Sequence, residues 1–352
     1  MNAVLLLACA LLAADASARP TVVVVVGAEG TAEYGKEFRK WAGRWEQAAG
    51  KAGAEYFQIG LDAPAAAVSD RDVLKLRLAE SSAASNDAAG VNEDRKRPPL
   101  PPLPKGGNSS EALWLVLIGH GTFDGKTARF NMRGPDVSAA DLALWLKDIG
   151  RPVAVIDCAS SSSPLINELS GPDRIVVTAT KSGYEHNFAR FGDYLSAAIA
   201  DPRADIDKDE QTSLLEAFLL ASSDTREFYA REGRLATEHA LLDDNGDSLG
   251  TPAEWFQGTR AVKRAKDGAQ LDGLRASQLC LVRSRGEREL PAEVRSRRDK
   301  LEQDLARLRE RKGQMNEEEY LKLLEPLLVE IARIYEEAGP AREGKQRPAA
   351  GF

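Results

Sequence analysis

Cysteine, histidine and methionine are scarce in this chain, with three of each among 352 residues, and aromatics make up only 6%. So few cysteines cannot knit a disulfide scaffold, and stability has to come from a hydrophobic core. Beyond the first residues, no stretch reaches the ~20 apolar residues that a membrane-crossing helix needs, which argues against a membrane span. No block of basic residues interrupts a formal net charge of −7, so nucleic acid is not an expected partner. The hydrophobic share of 43% and charged share of 29% are those of an ordinary globular protein. The length fits one main domain with a tail.

The apolar run Val4 to Leu12 leads into Ala16-Ser17-Ala18, a small-x-small pattern of the kind signal peptidases accept, although the usual basic residue ahead of the run is missing. Residues 1–18 are therefore expected to be a signal peptide, giving a secreted or periplasmic protein that begins near Arg19. Cys158 and Cys280 then remain. They can pair with each other, or one of them can be a free, reactive thiol.

Thr21 to Val26 is an unbroken β-branched run that reads as a strand buried on both faces. A helical pattern from Thr31 to Ala49 and a short strand, Glu55 to Ile59, follow it, and Asp70 to Ala79 again reads as helix. Residues 81–110 lose periodicity and end in the proline-rich Pro98 to Pro104, which predicts a long loop. Leu113 to Ile118, Val153 to Ile156 and Arg174 to Ala179 are further apolar strands. Between them come a helix over Ala139 to Ile149, capped by Ser138, and another over Pro164 to Leu169. The alternation predicts an α/β fold with a mostly parallel sheet covered by helices on both faces.

Such sheets bind ligands beyond the carboxyl ends of their strands. Strand Leu113 to Ile118 ends in Gly119-His120-Gly121, and strand Val153 to Ile156 ends in Asp157-Cys158. A nucleophilic cysteine needs an imidazole to favour its thiolate, and His120 is placed to supply it. The N–H groups of Gly121 and Cys158 would form an oxyanion hole, and the small Ser160 to Ser163 run would leave the site open. The plainer reading keeps Cys158 as a small buried hydrophobe.

These two strand ends resemble the caspase-like clan of cysteine peptidases, and most closely the legumain branch and its bacterial relatives. The resemblance spans roughly Val22 to Ile199 and implies a caspase-like sheet, a Cys158/His120 dyad, an acyl-enzyme, and protein or peptide substrates. Legumains use an Asn after the first strand to orient the histidine. Here that region reads Gly27-Ala28-Glu29-Gly30, so the resemblance gives the role to Glu29. It places Glu29, Asp157 and Glu185 around the substrate pocket, with the pocket segment running from Thr180 to Gly192. Some bacterial relatives lack the cysteine, so a catalytically silent binding module is the rival reading.

Two acidic loops follow the spacing of a calcium loop, whose oxygens come at alternate positions and end in a glutamate at the twelfth. The first offers Asp205, Asp207, Asp209, Gln211 and Glu216. The second offers Asp243, Asn245, Asp247, Leu249 and Glu254. Structural Ca2+ is the cofactor they predict, within an insertion over 205–254, while solvated turns are the alternative. Where the sixth position usually holds glycine, Glu210 and Ser248 stand. Finally, Ala292 to Arg311 and Glu317 to Glu337 carry apolar residues at helical spacing and predict a C-terminal helical hairpin, kinked or interrupted at Pro326. The expected organisation is a peptidase domain over 19–285 and the hairpin and tail over 286–352, with helix-mediated self-association as one use of the hairpin.

Overall fold

The structure, a computed structural model, describes residues 19–61, 68–86, 111–266 and 269–337. The expected signal segment and the Pro98 to Pro104 run lie outside them. The chain divides into two compact units, Met1–Lys208 with Thr212–Val282, and Asp209–Gln211 with Arg283–Phe352.

In chain order the larger unit carries β1 (Thr21–Val26), α1 (Ala32–Ala52), β2 (Glu55–Ile59), α2 (Asp70–Asn86) and β3 (Leu113–Ile118). The short strands β4 (Gly121–Phe123), β5 (Ala128–Phe130) and β6 (Val137–Ser138) lead to α3 (Ala139–Leu146), β7 (Val153–Asp157), α4 (Leu165–Leu169) and β8 (Arg174–Thr178). Then come α5 (Phe191–Ala198), α6 (Leu214–Arg231), β9 (Leu241–Asp243), β10 (Thr251–Pro252), β11 (Phe256–Gln257), β12 (Arg260–Ala261) and α7 (Leu274–Gln278).

A seven-stranded sheet has the order β10-β9-β8-β7-β3-β1-β2. The five strands from β2 to β8 run parallel, and β9 and β10 add antiparallel pairing at one end. The parallel strands predicted from sequence are thus present with helices on both faces, and the antiparallel pair is what pattern reading did not foresee. β1 sits between β2 and β3 with all six residues buried, which is why its sequence is a row of valines: neither face meets water.

Successive side chains of a strand point to opposite faces, and the core splits accordingly. On one face Val22, Val24, Trp114, Val116, Ala154 and Ile156 pack with Phe38, Trp41 and Trp45 of α1, Phe191 and Leu195 of α5, and Phe218 of α6. On the other, Val23, Val25, Leu115, Leu117 and Val155 pack with Leu74 and Leu78 of α2, Leu142 and Leu146 of α3, and Leu165 and Leu169 of α4. Local signals set the helix ends. Thr31 caps α1 by accepting from Tyr34 N, and Gly53 closes it with φ 63°, a left-handed turn that glycine enters cheaply. Ser138 and Asp141 form a capping box on α3, as Ser213 and Glu216 do on α6. Helix α2 runs on to Asn86, so residues 81–86, read as the start of a loop, are helical.

The smaller unit holds α8 (Arg285–Glu289), α9 (Ala292–Glu310) and α10 (Glu317–Glu337). The last two make the predicted hairpin. Pro326 lies inside α10, so of the two expected effects, a kink or an interruption, the interruption does not occur. Among the described residues no helix is long and apolar enough to cross a membrane.

Candidate active site

The register β3 to β7 pairs Leu117 with Asp157, so His120 and Cys158 do emerge at neighbouring strand ends. Alternation along β7 sends Cys158 to the same face as Ala154 and Ile156, the side of α1. His120 leans toward that side too. Its ring lies 5.0 Å from Tyr34, 5.4 Å from Phe38 and 6.1 Å from Phe188 between centroids.

Sharing a face does not make them a dyad. The His120 side chain has one hydrogen-bond contact, Nε2 to the Glu29 carbonyl at 3.4 Å, and no hydrogen bond joins it to Cys158 among the described residues. The half-buried ring has its pKa lowered by burial, with the Glu29 contact opposing. Cys158 is 0% exposed. Burial pushes its thiol up, and Asp157 and Glu238 push it further, whereas a thiolate needs a neighbouring positive charge. A Cβ added to Gly192 would fall 2.6 Å from the Cys158 Cβ and 2.8 Å from Trp41, so glycine is what lets α5 close over the thiol. Cys158 and Cys280 are both buried and no disulfide joins them.

The expected oxyanion hole is also occupied by other bonds. Cys158 N donates to Leu117 O at 2.9 Å, because the β3–β7 ladder continues one residue past the strand. Gly121 N donates to Ser160 Oγ at 3.4 Å. Nor do the serines leave an opening. Ser160, Ser161 and Ser162 are at most 3% exposed; Ser160 bonds Gly121, and Ser161 and Ser162 tie the loop after β7 to the loop after β8. Ser162 Oγ lies 3.2 Å from Thr180 Oγ1, and Ser161 N donates to Glu185 O. Ser161 holds φ 56° and its Oγ meets His186 Nδ1 at 3.0 Å.

The three carboxylates expected around a pocket part company. Asp157 is 2% exposed and accepts from Ala159 N, with burial raising its pKa to about 7; it closes the turn after β7. Glu29 points back along α1, pairing with Arg39 at 3.6 Å, so its carbonyl and not its side chain meets the histidine. Glu185 pairs with His239 Nδ1 at 2.6 Å and accepts from Lys181 N. Sequence reasoning missed Glu238, 3% exposed, which accepts from Arg190 N, Phe191 N and the Tyr229 hydroxyl at the start of α5. No local pattern could have found it, since its partners lie 9 to 48 residues away.

No protein-family model matches the chain, and no curated protein does. Among solved structures it is similar to the Drosophila initiator caspase Dronc, at 14% identity and a TM-score of 0.37, over 64% of this chain and 80% of that one. A likeness of that size leaves the chemistry to the residues themselves.

The acidic loops differ from each other. In the first, both oxygens of Glu216 are taken: Oε1 accepts from Ile206 N and Asp207 N, and Oε2 from Ser213 N and Oγ. That corrects its reading as a terminal ligand, because the same spacing that suits a calcium loop also makes a capping box. Asp205 accepts from Lys208 N in the larger unit. Asp209 and Gln211 belong to the smaller unit, where Gln211 N and Nε2 donate to Asp209 and Gln211 Oε1 accepts from Ser284 N. In the second loop Asp243 accepts from Gly246 N and Ser248 N, Asn245 from Asp247 N, and Asp247 Oδ1 from Leu249 N. Ser248 adopts φ 65° at the place glycine usually fills. Asp247 Oδ2 is buried without a partner, while Glu254 is exposed on a 3-10 turn. Beside this loop lies a pair that spacing passed over. Asp244 and Asp272 are at most 4% exposed and hydrogen-bond to each other, and burial and then the Asp244 charge raise Asp272 to about 8.

Proposed function

We propose that this chain is a catalytically silent, caspase-like module that holds a peptide or protein segment at the rim around His120 without cutting it. The observation that carries the reading is the sealed thiol: 0% exposed, flanked by two carboxylates, and not bonded to the histidine. What the rim offers is recognition chemistry. Tyr34 and Phe188 stack at 4.4 Å beside His120, and Phe123 of β4 with Tyr184 and His186 of the loop after β8 makes a second aromatic group, with Tyr184 69% exposed. Part-exposed aromatics of this kind bury large area at little entropic expense when a partner arrives. The legumain branch is the finer likeness, and it rests on the two strand-end motifs alone. Export through residues 1–18 belongs to the same reading and is checked by whether the mature chain recovered outside the cytoplasm starts near Arg19. Calcium belongs to it as well, at the second loop, where the unbonded Asp247 oxygen and the turn at Ser248 favour a cation over plain solvation.

The peptidase reading keeps one observation in its favour, the placement of both residues on one face at adjacent strand ends. Treating the native full chain with a thiol-directed acyloxymethyl ketone separates the two. The silent module predicts no adduct on Cys158 until denaturant is added, together with peptides from a random library retained by the wild type and released by His120→Ala. An adduct on native Cys158 that disappears in His120→Ala would reinstate the peptidase.

A further inference from the structure

The hairpin of the smaller unit has a thin interior: its buried apolar side chains are Leu305, Leu308, Tyr320 and Ile334. Two helices with so little between them do not close a core by themselves and need a further surface. α10 presents one. Leu321, Leu328 and Tyr335 recur every seven residues along one line and are 44–51% exposed, so the apolar side of the helix is wider than α9 covers.

Beside that line runs a row at 3- and 4-residue spacing: Lys322, Glu325, Val329, Arg333 and Glu336, all exposed. Its four charges form no ion pair among the described residues. Their order is antisymmetric about Val329. Lys322 stands seven residues before it and Glu336 seven after, and Glu325 stands four before it and Arg333 four after. A second copy laid parallel on a two-fold axis would carry this row to the opposite flank, where it meets no copy of itself. Laid antiparallel, it sets Lys322 against Glu336 and Glu325 against Arg333 twice over, while Leu328 meets Leu328 and Leu321 meets Tyr335 one residue off the same centre. Helices pair in this way when flanking charges choose the orientation and an apolar line supplies the contact.

We propose that this face of α10 is a homodimer interface, in which two chains associate through antiparallel α10 helices on a two-fold axis near Leu328 and Val329. It is independent of the reading of the His120 rim. The test is the mass of the full-length chain in solution by light scattering across a concentration series. A dimer is expected, with Lys322→Glu weakening it about tenfold and the exchange Lys322→Glu with Glu336→Lys in one chain restoring it. A single cysteine at Leu328 should form a disulfide between two identical chains, whereas cysteines at Leu321 and Tyr335 should cross-link only when the two variants are mixed. Circular dichroism of each variant separates loss of association from loss of fold. A monomeric wild type, including one whose α10 packs on its own larger unit, overturns the proposal. So does a dimer indifferent to Lys322→Glu, or one that cross-links Leu321→Cys to itself.

Discussion

Gly192 shows how much one absent side chain decides. The thiol of Cys158, the indole of Trp41 and the start of α5 meet there with no room for a methyl group. Gly192→Ala should destabilise the protein by about 1–3 kcal/mol, the usual effect of overpacking, read as a lower urea midpoint at unchanged slope. Cys158→Ser, which conserves volume, should also destabilise, because it buries a hydroxyl in an apolar cluster. On the same scale the position of the candidate residues was legible and their role was not. The sequence placed His120 and Cys158 at strand ends correctly, since apolar runs mark strands. Yet Cys158 also continues the row Ala154, Ile156 that faces the core, and that period-two signal speaks for the bland reading of the cysteine.

Among elements, the strands buried on both faces were the easiest to read, and β1 and β3 begin and end where their apolar runs do. The short strands β4 to β6 and the edge pair β9 and β10 were not read, because two- or three-residue strands carry no periodicity of their own. The calcium loops show the limit from the other side: spacing alone cannot tell a ligand from a cap, and Glu216 is a cap. For the second loop, added calcium should raise the melting temperature, and Asp247→Asn should remove the increase through linkage; melting that ignores both calcium and chelator would leave the loop a hydrogen-bonded turn. Its neighbours Asp244 and Asp272 make a separate expectation. Asp272 is raised to about 8 in the folded chain against about 4 when unfolded, and Asp157 to about 7. The folded state holds protons the unfolded state releases, so their contribution is full below pH ~4 and fades as pH rises through ~7 to 8. Asp272→Asn should flatten that decline in a series of urea melts between pH 5 and 9, an effect absent if the pair is ionised throughout.

For the whole molecule, a mostly parallel sheet sealed by helices fixes the rim on which loops bring the chain's three histidines. His120 follows β3, His186 bonds the loop after β7, and His239 precedes β9 and holds Glu185. Cutting the Glu185–His239 tie with His239→Ala should loosen the loop that carries Tyr184, and with it retention of rim-bound peptides, while far-ultraviolet dichroism stays unchanged. That constellation was not visible in advance, because it is assembled by contacts 25, 54 and 91 residues apart.

The burial of β1 reaches further than its packing. Val22 to Val26 are at most 2% exposed and hydrogen-bonded on both sides, to the edge strand β2 and to the central strand β3, so the amides held by β3 exchange only when the sheet itself opens. Deuterium uptake along these valines would therefore report the opening of the entire larger unit, giving a clock for global unfolding against which every faster-exchanging segment can be ranked.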